Sequence, residues 1–317
     1  MRRLSLPIVA VLVLVGGLAA CSSSSKTASS STTTAASPST TAASSASSTP
    51  GGNPAVVIGS ANFPENEILA DIYADVLKGK GVPVTTKLDI GSREVYFKEM
   101  ENGTLNVFPE YNGALLDYLQ PSATASTTAE VNAALAKALP SSLEALPSAS
   151  AQDKDSVTVT STFAKEHNLS SISDLKALGT ITFGGPPEWK TREQGLIGLE
   201  NVYGLSINFK PLDESGPLTI AALNGGTIQA GDIFTTDPSV TKYHFVALSD
   251  PKQLFSAQNV TPIINKSVAT STITDALNSV SAALTTAVLV QLVGAVVNDH
   301  IDAATVASQF VQQANLG

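Results

Sequence analysis

Short runs of β-branched residues alternate along this chain with segments whose apolar residues recur at helical spacing. Residues 56–58 form the first run, and apolar residues between 68 and 77 then recur every three or four positions until Gly79 and Gly81 end the pattern. A strand followed by a helix, repeated at this spacing, is typical of a mostly parallel sheet with helices on its faces. The sequence therefore predicts an α/β protein.

A second series of the same kind begins at residues 157–160 and continues to residues 233–234. A further extended run at 260–264 precedes helical segments up to the last residues. Residues 287–297 are apolar but too few to span a bilayer, so we expect a core helix there. No segment repeats at a fixed period, which excludes solenoids and propellers.

The first 21 residues predict export. Arg2 and Arg3 precede a nearly wholly apolar stretch of fifteen residues, 6–20, which ends in small residues before Cys21. Such a stretch is short for a membrane-spanning helix and has the form of a secretory signal. It resembles a bacterial lipobox, and Cys21 is the only cysteine of the chain. We therefore expect Cys21 to be lipidated and to hold the exported protein to the outer face of the cytoplasmic membrane.

Residues 22–50 predict a flexible tether. Serine, threonine and alanine make up 26 of these 29 positions, so the segment cannot bury a core. We expect the folded part to begin near Ala55. It then has 263 residues, which is enough for two lobes with a core each.

Charge and motifs exclude several functions. The chain has 27 acidic and 18 basic residues and no run of lysine or arginine, so a nucleic-acid partner is not expected. It contains no G-x-S-x-G, P-loop or G-x-G-x-x-G motif, and we expect neither an enzyme nor a cofactor. The acidic pairs Asp153 with Asp155 and Glu65 with Glu67 are interpreted as chance. The chain has three histidines, His167, His244 and His300. They are dispersed along the sequence, so we expect no metal site.

Seven short segments of the folded part carry a family resemblance. They are residues 58–65 (IGSANFPE), 91–97 (GSREVYF), 109–113 (PEYNG), 172–175 (ISDL), 185–192 (GPPEWKTR), 200–204 (ENVYG) and 234–237 (FTTD). In this order and spacing they resemble the substrate-binding proteins of the glycine betaine/choline/proline family, the ProX or OpuAC type, which serve osmoprotectant ABC importers. The resemblance covers essentially residues 55–317, and the lipoprotein form is like that of Gram-positive or mycobacterial envelopes.

The resemblance implies a two-lobe fold like the type II periplasmic binding proteins. Two crossing strands would join the α/β lobes, and a ligand would be bound in the cleft between them. Lobe I would comprise residues 55–156 and 260–317, and lobe II residues 157–259. The crossings are expected at 156–160 and 259–263.

The resemblance also implies the ligand contacts. Aromatic ring faces attract a quaternary ammonium group, and cations hold a ligand carboxylate. Tyr111 and Phe234 match cage aromatics, Arg192 matches the arginine that holds the carboxylate, and Thr235 follows Phe234 in its segment. Core packing for Phe234 and a surface or capping role for Arg192 are the alternatives. Residues at the strand-to-helix turns are further candidates: Phe63, Tyr96 and Trp189, which are aromatic, and Arg93 and Lys190, which are cationic. Two alternatives to ligand binding stay open: Tyr96 is buried on a helix face, and Trp189 covers the edge of a lobe.

Four positions depart from the family pattern. Ala61 replaces a lysine, Ala114 replaces a hydroxyl residue, and Asp155 and Gln258 replace two tyrosines. Two of four expected rings remain, which predicts a cation–π site weakened by roughly one to three decades. Asp155 and Gln258 favour a more polar or hydroxylated ligand.

We therefore expect a solute-binding lipoprotein, a monomer, that delivers glycine betaine, choline, carnitine or proline-like solutes to an ABC permease and its ATPase. Three alternatives stay open: the same fold with a polyol- or polyphenol-like ligand, a surface lipoprotein without transport, and an exported enzyme. Ligand-dependent thermal stabilisation separates a solute-binding lipoprotein from a surface lipoprotein without transport.

Overall fold

The computed structural model describes residues 52–121 and 123–317. The signal, Cys21 and the tether lie outside the described residues, and their roles stay predictions.

Ten strands and eleven α-helices form in the described part of the chain. The strands are β1 (Val56–Gly59), β2 (Val84–Lys87), β3 (Val107–Tyr111), β4 (Leu143–Ala145), β5 (Val157–Thr160), β6 (Thr180–Gly185), β7 (Ser206–Pro211), β8 (Ala230–Asp232), β9 (Phe245–Ala247) and β10 (Val260–Asn265). The helices are α1 (Pro64–Gly79), α2 (Arg93–Glu101), α3 (Asn112–Leu119), α4 (Thr128–Ala138), α5 (Ser161–Glu166), α6 (Gly198–Asn201), α7 (Pro217–Asn224), α8 (Ser239–Lys242), α9 (Ser271–Ala283), α10 (Thr286–Val297) and α11 (Ala303–Gln313).

The first βα unit follows directly from its sequence. Pro64 stands at the start of α1, where its fixed φ suits a helix and its missing N–H costs nothing. Glu65 and Glu67 lie in the first turn, where negative charge is favoured by the helix dipole. Gly81, with φ of 73°, follows the helix and adopts a backbone conformation that side chains disfavour. The turn from β1 into α1 therefore has a fixed position, and Phe63 lies in it.

The first sheet has the strand order β2-β1-β3-β10-β4. β1 runs parallel to β2 and β3, while β10 returns antiparallel to β3 and β4. One apolar cluster joins the sheet to α1, α9, α10 and α11, and another joins it to α2, α3 and α4. This sheet and its helices make up lobe I.

The second sheet has the order β7-β6-β8-β5-β9 and is the centre of lobe II. β6 runs parallel to β7 and β8, and β5 runs antiparallel to β8 and β9. Its core includes Trp189, which is fully buried and stacks on Phe183 with ring centroids 5.2 Å apart. The two-sheet α/β architecture is the one predicted.

The chain passes between the sheets twice, but not through the strands expected to cross. β5 lies wholly in the second sheet and β10 wholly in the first, because each pairs on both sides with strands of its own sheet. The passing segments instead meet where Gln152 pairs with Asn259 and the Asp153 N–H donates to the Gln258 carbonyl at 3.1 Å. Gly113 approaches this place so closely that a Cβ there would overlap the Ala257 carbonyl.

α10 packs against the core through Leu289 and Val293, while Val290 on the same helix is exposed. Within the described residues, no single helix is long and apolar enough to cross a membrane. α9 and α10 reach that length and composition only together, and they are bent by 91° at their junction.

Candidate functional site

A small pocket, here called the inner pocket, lies where the two lobes meet. Its volume is about 30 Å³. It is lined by residues of both lobes and of the passing segments: Phe63, Arg93, Tyr111, Ala114, Asp153, Asp155, Arg192, Glu214, Phe234 and Gln258. Seven of the eleven residues predicted from the sequence to bind a ligand are in this set.

Three aromatic rings form one side of the inner pocket. Phe63 precedes α1 and Tyr111 ends β3, so both come from lobe I, whereas Phe234 follows β8 in lobe II. The ring centroids of Phe63 and Phe234 lie 5.2 Å apart in an edge-on arrangement, and those of Phe63 and Tyr111 lie 6.1 Å apart. Phe63 thus contacts rings on both sides of the cleft.

A buried carboxyl group links the lobes beside these rings. The Tyr111 hydroxyl donates to Glu65 Oε1 at 2.7 Å, and the Thr236 hydroxyl of lobe II donates to Glu65 Oε2 at 2.6 Å. Burial raises the pKa of Glu65 to about 7, although both hydrogen bonds oppose the rise. Sequence reasoning missed the role of Glu65, because it interpreted the acidic pair of Glu65 and Glu67 as chance, although Glu65 ends the first family-like segment.

Arg93 lines the pocket with its charge already balanced. Its Nε donates to Glu110 Oε1 at 2.9 Å and its Nη2 to Glu110 Oε2 at 3.0 Å. The Tyr96 hydroxyl donates to the same Oε1 at 2.6 Å, and the Tyr96 ring stacks on Phe108 at 3.8 Å. Tyr96 is therefore packed behind Arg93 and does not line the pocket.

Arg192 bridges the lobes instead of presenting a free guanidinium. Its Nε and Nη2 donate to the two carboxylate oxygens of Glu94 on α2, each at 3.1 Å, and its Nη1 donates to Glu214 at 3.5 Å. Burial would raise the pKa of Glu94, but the hydrogen bonds and charge of Arg192 outweigh it and lower that pKa to about 2. Two carboxylates around one guanidinium leave this part of the site with a net negative charge.

Asp155 and Gln258 join the two passing segments to each other. The Asp155 N–H donates to Gln258 Oε1 at 3.0 Å, and Gln258 Nε2 donates to Asp155 Oδ2 at 3.0 Å and to Gln194 Oε1 at 3.0 Å. Asp153 accepts hydrogen bonds from the Thr236 N–H and the Thr235 hydroxyl. Both carboxyl groups line the inner pocket, so the acidic pair interpreted as chance forms part of it, and burial raises the pKa of each.

Three other candidates from the sequence also lie away from the lining, and each has a structural reason. Trp189 belongs to the core of lobe II and is wholly buried. Lys190 is exposed, with its ammonium 5.9 Å from the Phe209 ring centroid. Thr235 is exposed as well and points its hydroxyl to Asp153.

A second cavity, here called the outer chamber, adjoins the inner pocket and has a volume of about 530 Å³. The two share Phe63, Glu214 and Phe234. In the part of the chain that the structure describes, no group of three or more histidine, cysteine or acidic residues could hold a metal ion.

The chain is similar in sequence to known proteins. A family model, OpuAC, the substrate-binding domain of ABC-type glycine betaine transport systems, matches residues 54–313. The glycine betaine-binding protein YehZ of Escherichia coli (strain K12) is 26% identical over 275 residues, which are 81% of this chain and 90% of YehZ. A glycine-betaine-binding protein of Pseudomonas aeruginosa (strain PAO1) is 25% identical over 225 residues, 67% of this chain and 71% of that protein.

A solved structure shares the fold. The crystal structure of a glycine betaine/carnitine/choline ABC transporter protein superposes with a TM-score of 0.66 at 20% identity and covers 82% of this chain and 99% of that one. Together with the family match over almost all of the described residues, this identifies the chain as a member of the OpuAC family of ABC-transporter substrate-binding proteins.

Proposed function

We propose that the protein is the solute receptor of an ABC importer for quaternary ammonium solutes, with glycine betaine as the first candidate. Family members are binding proteins and not enzymes, and both named relatives are described as binding glycine betaine. The observation that carries the proposal is the meeting of three rings from two lobes in one pocket: Phe63, Tyr111 and Phe234.

Ring and charge chemistry both favour a cation in the inner pocket. A quaternary ammonium has no N–H to donate, and aromatic faces attract it through their electron density. Asp153 and Asp155 place carboxyl groups beside the rings. A ligand cation supports their ionised form, whereas burial alone opposes it.

Binding requires the lobes to separate first. The inner pocket of about 30 Å³ has room for about two water molecules, so a betaine-sized solute enters only when the lobes move apart. The passing segments are the natural hinge, because they alone connect the two sheets along the chain. We propose lobe boundaries at 55–156 with 260–317 for lobe I and 157–259 for lobe II.

A ligand carboxylate has to compete for Arg192. In the conformation described, Glu94 accepts from two N–H groups on one edge of that guanidinium, and Glu214 accepts from a third N–H. A guanidinium has five N–H donors, so an incoming carboxylate has the remaining two, beside two acidic side chains. We propose that Glu94 opposes the binding of carboxylate ligands at Arg192.

A hydroxylated ligand is the second candidate. It is favoured by Asp155 and Gln258, which line the pocket and have both donor and acceptor atoms there. Such a ligand would replace the hydrogen bonds that these two side chains make to each other.

We further propose that the protein is exported, anchored through a lipidated Cys21, and delivers its solute as a monomer to a permease and its ATPase. The sequence of residues 1–21 supports export and anchoring. Family membership supports the permease as partner.

Calorimetry and thermal unfolding with glycine betaine, choline and a polyol test the proposal. A ligand that binds only the folded protein raises the melting temperature, and we expect this for glycine betaine. Phe234→Leu should weaken binding about fivefold or more through loss of ring contact. Phe163→Leu is the matched control, since Phe163 is a half-buried aromatic of lobe II packed on His167. Absence of binding by all three solutes would contradict the proposal.

A further inference from the structure

We propose that the outer chamber binds the apolar tail of an elongated organic cation whose ammonium head lies at Phe63 and Phe234. This inference rests on the proposed function, because the head occupies the aromatic residues that the outer chamber shares with the inner pocket. It extends the ligand class from compact solutes to ammonium compounds with a long alkyl or aryl substituent.

The outer chamber is large enough for a ligand tail. The outer chamber measures about 530 Å³ against about 30 Å³ for the inner pocket. Pockets for drug-sized ligands are typically on the order of 300–1,000 Å³. The chamber therefore has room for a tail, although the lobes are in contact at Glu65 and Thr236.

Apolar side chains of both lobes line the chamber. Lobe I contributes three valines near the end of α10, and lobe II contributes aliphatic and proline side chains. They are Val293, Val296, Val297, Leu212, Ile220, Pro186, Pro187 and Pro217. A ligand tail between these walls removes apolar surface of both lobes from water, which stabilises the complex and holds the lobes together.

The charged side chains of the chamber favour a cation. No lysine or arginine lines the chamber, and His300 is its one basic residue among the described positions. Five carboxyl groups line it: Glu65, Glu188, Asp213, Glu214 and Asp237. Of these, only Glu214 has a cationic partner within 4.0 Å in the described part of the chain. Asp213 accepts hydrogen bonds from backbone N–H groups at the start of α7. Asp237 accepts hydrogen bonds from the Ser239 N–H and the Ser215 hydroxyl. Burial favours the protonated form of Glu65, but the remaining four carboxyl groups still outnumber His300. The field in the chamber therefore favours cations and repels fatty acids.

The experiment is isothermal titration of the whole protein with octyltrimethylammonium, tetramethylammonium, octanoate and glycine betaine. Each methylene that leaves water tightens binding about fourfold, so four buried methylenes make the octyl cation more than about 100-fold tighter than tetramethylammonium. Octanoate has a similar tail and the opposite charge, and it should bind at least about 100-fold more weakly than the octyl cation. The inference is overturned if the octyl cation binds less than about tenfold more tightly than tetramethylammonium. It is also overturned if octanoate binds as tightly as the octyl cation.

Paired variants locate the tail and the charge. Val296→Gln should weaken the octyl cation about tenfold and leave tetramethylammonium unchanged, whereas Val290→Gln, on an exposed part of the same helix, should change neither. Glu188→Gln should weaken the octyl cation about threefold, with Glu200→Gln as the exposed control in lobe II. An octyl affinity that no chamber variant alters overturns the inference.

The same titrations separate failure of the inference from failure of the proposed function. If glycine betaine binds but the octyl tail does not improve affinity, the inference about the outer chamber is refuted and the proposed receptor function stands. Absence of binding by glycine betaine and by both cations refutes both. Thermal unfolding of each variant establishes that it is folded before its affinity is compared.

Discussion

Replacement of Glu94 by glutamine should shift ligand preference toward carboxylates. Glu94→Gln keeps the size of the side chain and removes the negative charge that faces Arg192. A ligand carboxylate on the opposite edge of the same guanidinium would lie roughly 6 Å from that charge, where two unit charges interact by about 2.8 kcal/mol at an effective dielectric constant of about 20. Because the Glu94 side chain is 37% exposed, we halve this to about 1.4 kcal/mol, which is about tenfold in affinity.

The assay compares glycine betaine with choline, which has the ammonium group but no carboxylate. Loss of the pair between the lobes alters closure for both ligands, so the ratio of their dissociation constants isolates the carboxylate effect. We expect this ratio to move about tenfold in favour of glycine betaine. Glu101→Gln is the matched control, since Glu101 is exposed on the same helix. Equal changes for the two ligands, or a ratio that moves toward choline, would refute the proposal that Glu94 opposes carboxylate ligands.

Three further predictions concern other parts of the molecule. The pKa of Glu65 is raised to about 7 from an ordinary value of 4.5, so its contribution to stability is fully present below pH 4.5 and is lost as the pH rises through 7. Urea unfolding should show that the free energy of unfolding falls by up to roughly 3 kcal/mol over that pH range, and Glu65→Gln should abolish this fall. An unchanged pH profile in the variant would show that Glu65 does not cause it. Cys21→Ser should move the protein from the membrane fraction to the soluble fraction, and full retention on membranes would count against lipidation. Tyrosine at both Asp155 and Gln258 should tighten glycine betaine binding about tenfold or more and weaken a polyol, as measured by calorimetry; weaker betaine binding would show that the missing rings are not the cause.

The sequence predicted the parts of the fold that depend on local pattern. The β-branched run before Gly59 and the helical spacing after Pro64 require no distant partner, and both elements form as expected. The crossings were placed wrongly, because extended residues have the same pattern whether they pair within one sheet or pass between two. Only the pairing of Gln152 with Asn259 locates the passage.

Local sequence patterns also predicted only some of the residues of the site. Tyr111 and Phe234 reach the pocket, as a short family-like segment could indicate. The engagement of Arg192 by Glu94 could not be predicted, because the two residues are 98 positions apart and belong to different lobes. Trp189 shows the opposite case: it lies in a matching segment, yet its large ring is what fills the core of lobe II against Phe183.

The bonds between Asp155 and Gln258 have a consequence for how such a receptor changes its cargo over evolution. Both side chains line the inner pocket, and both belong to the segments that connect the lobes and that we propose as the hinge. With that hinge, a substitution at either position that selects a new solute would also change the free-energy difference between open and closed forms. Selectivity and release rate would then be inherited together at these two positions, so a lineage that improves recognition there would also change how readily the solute leaves.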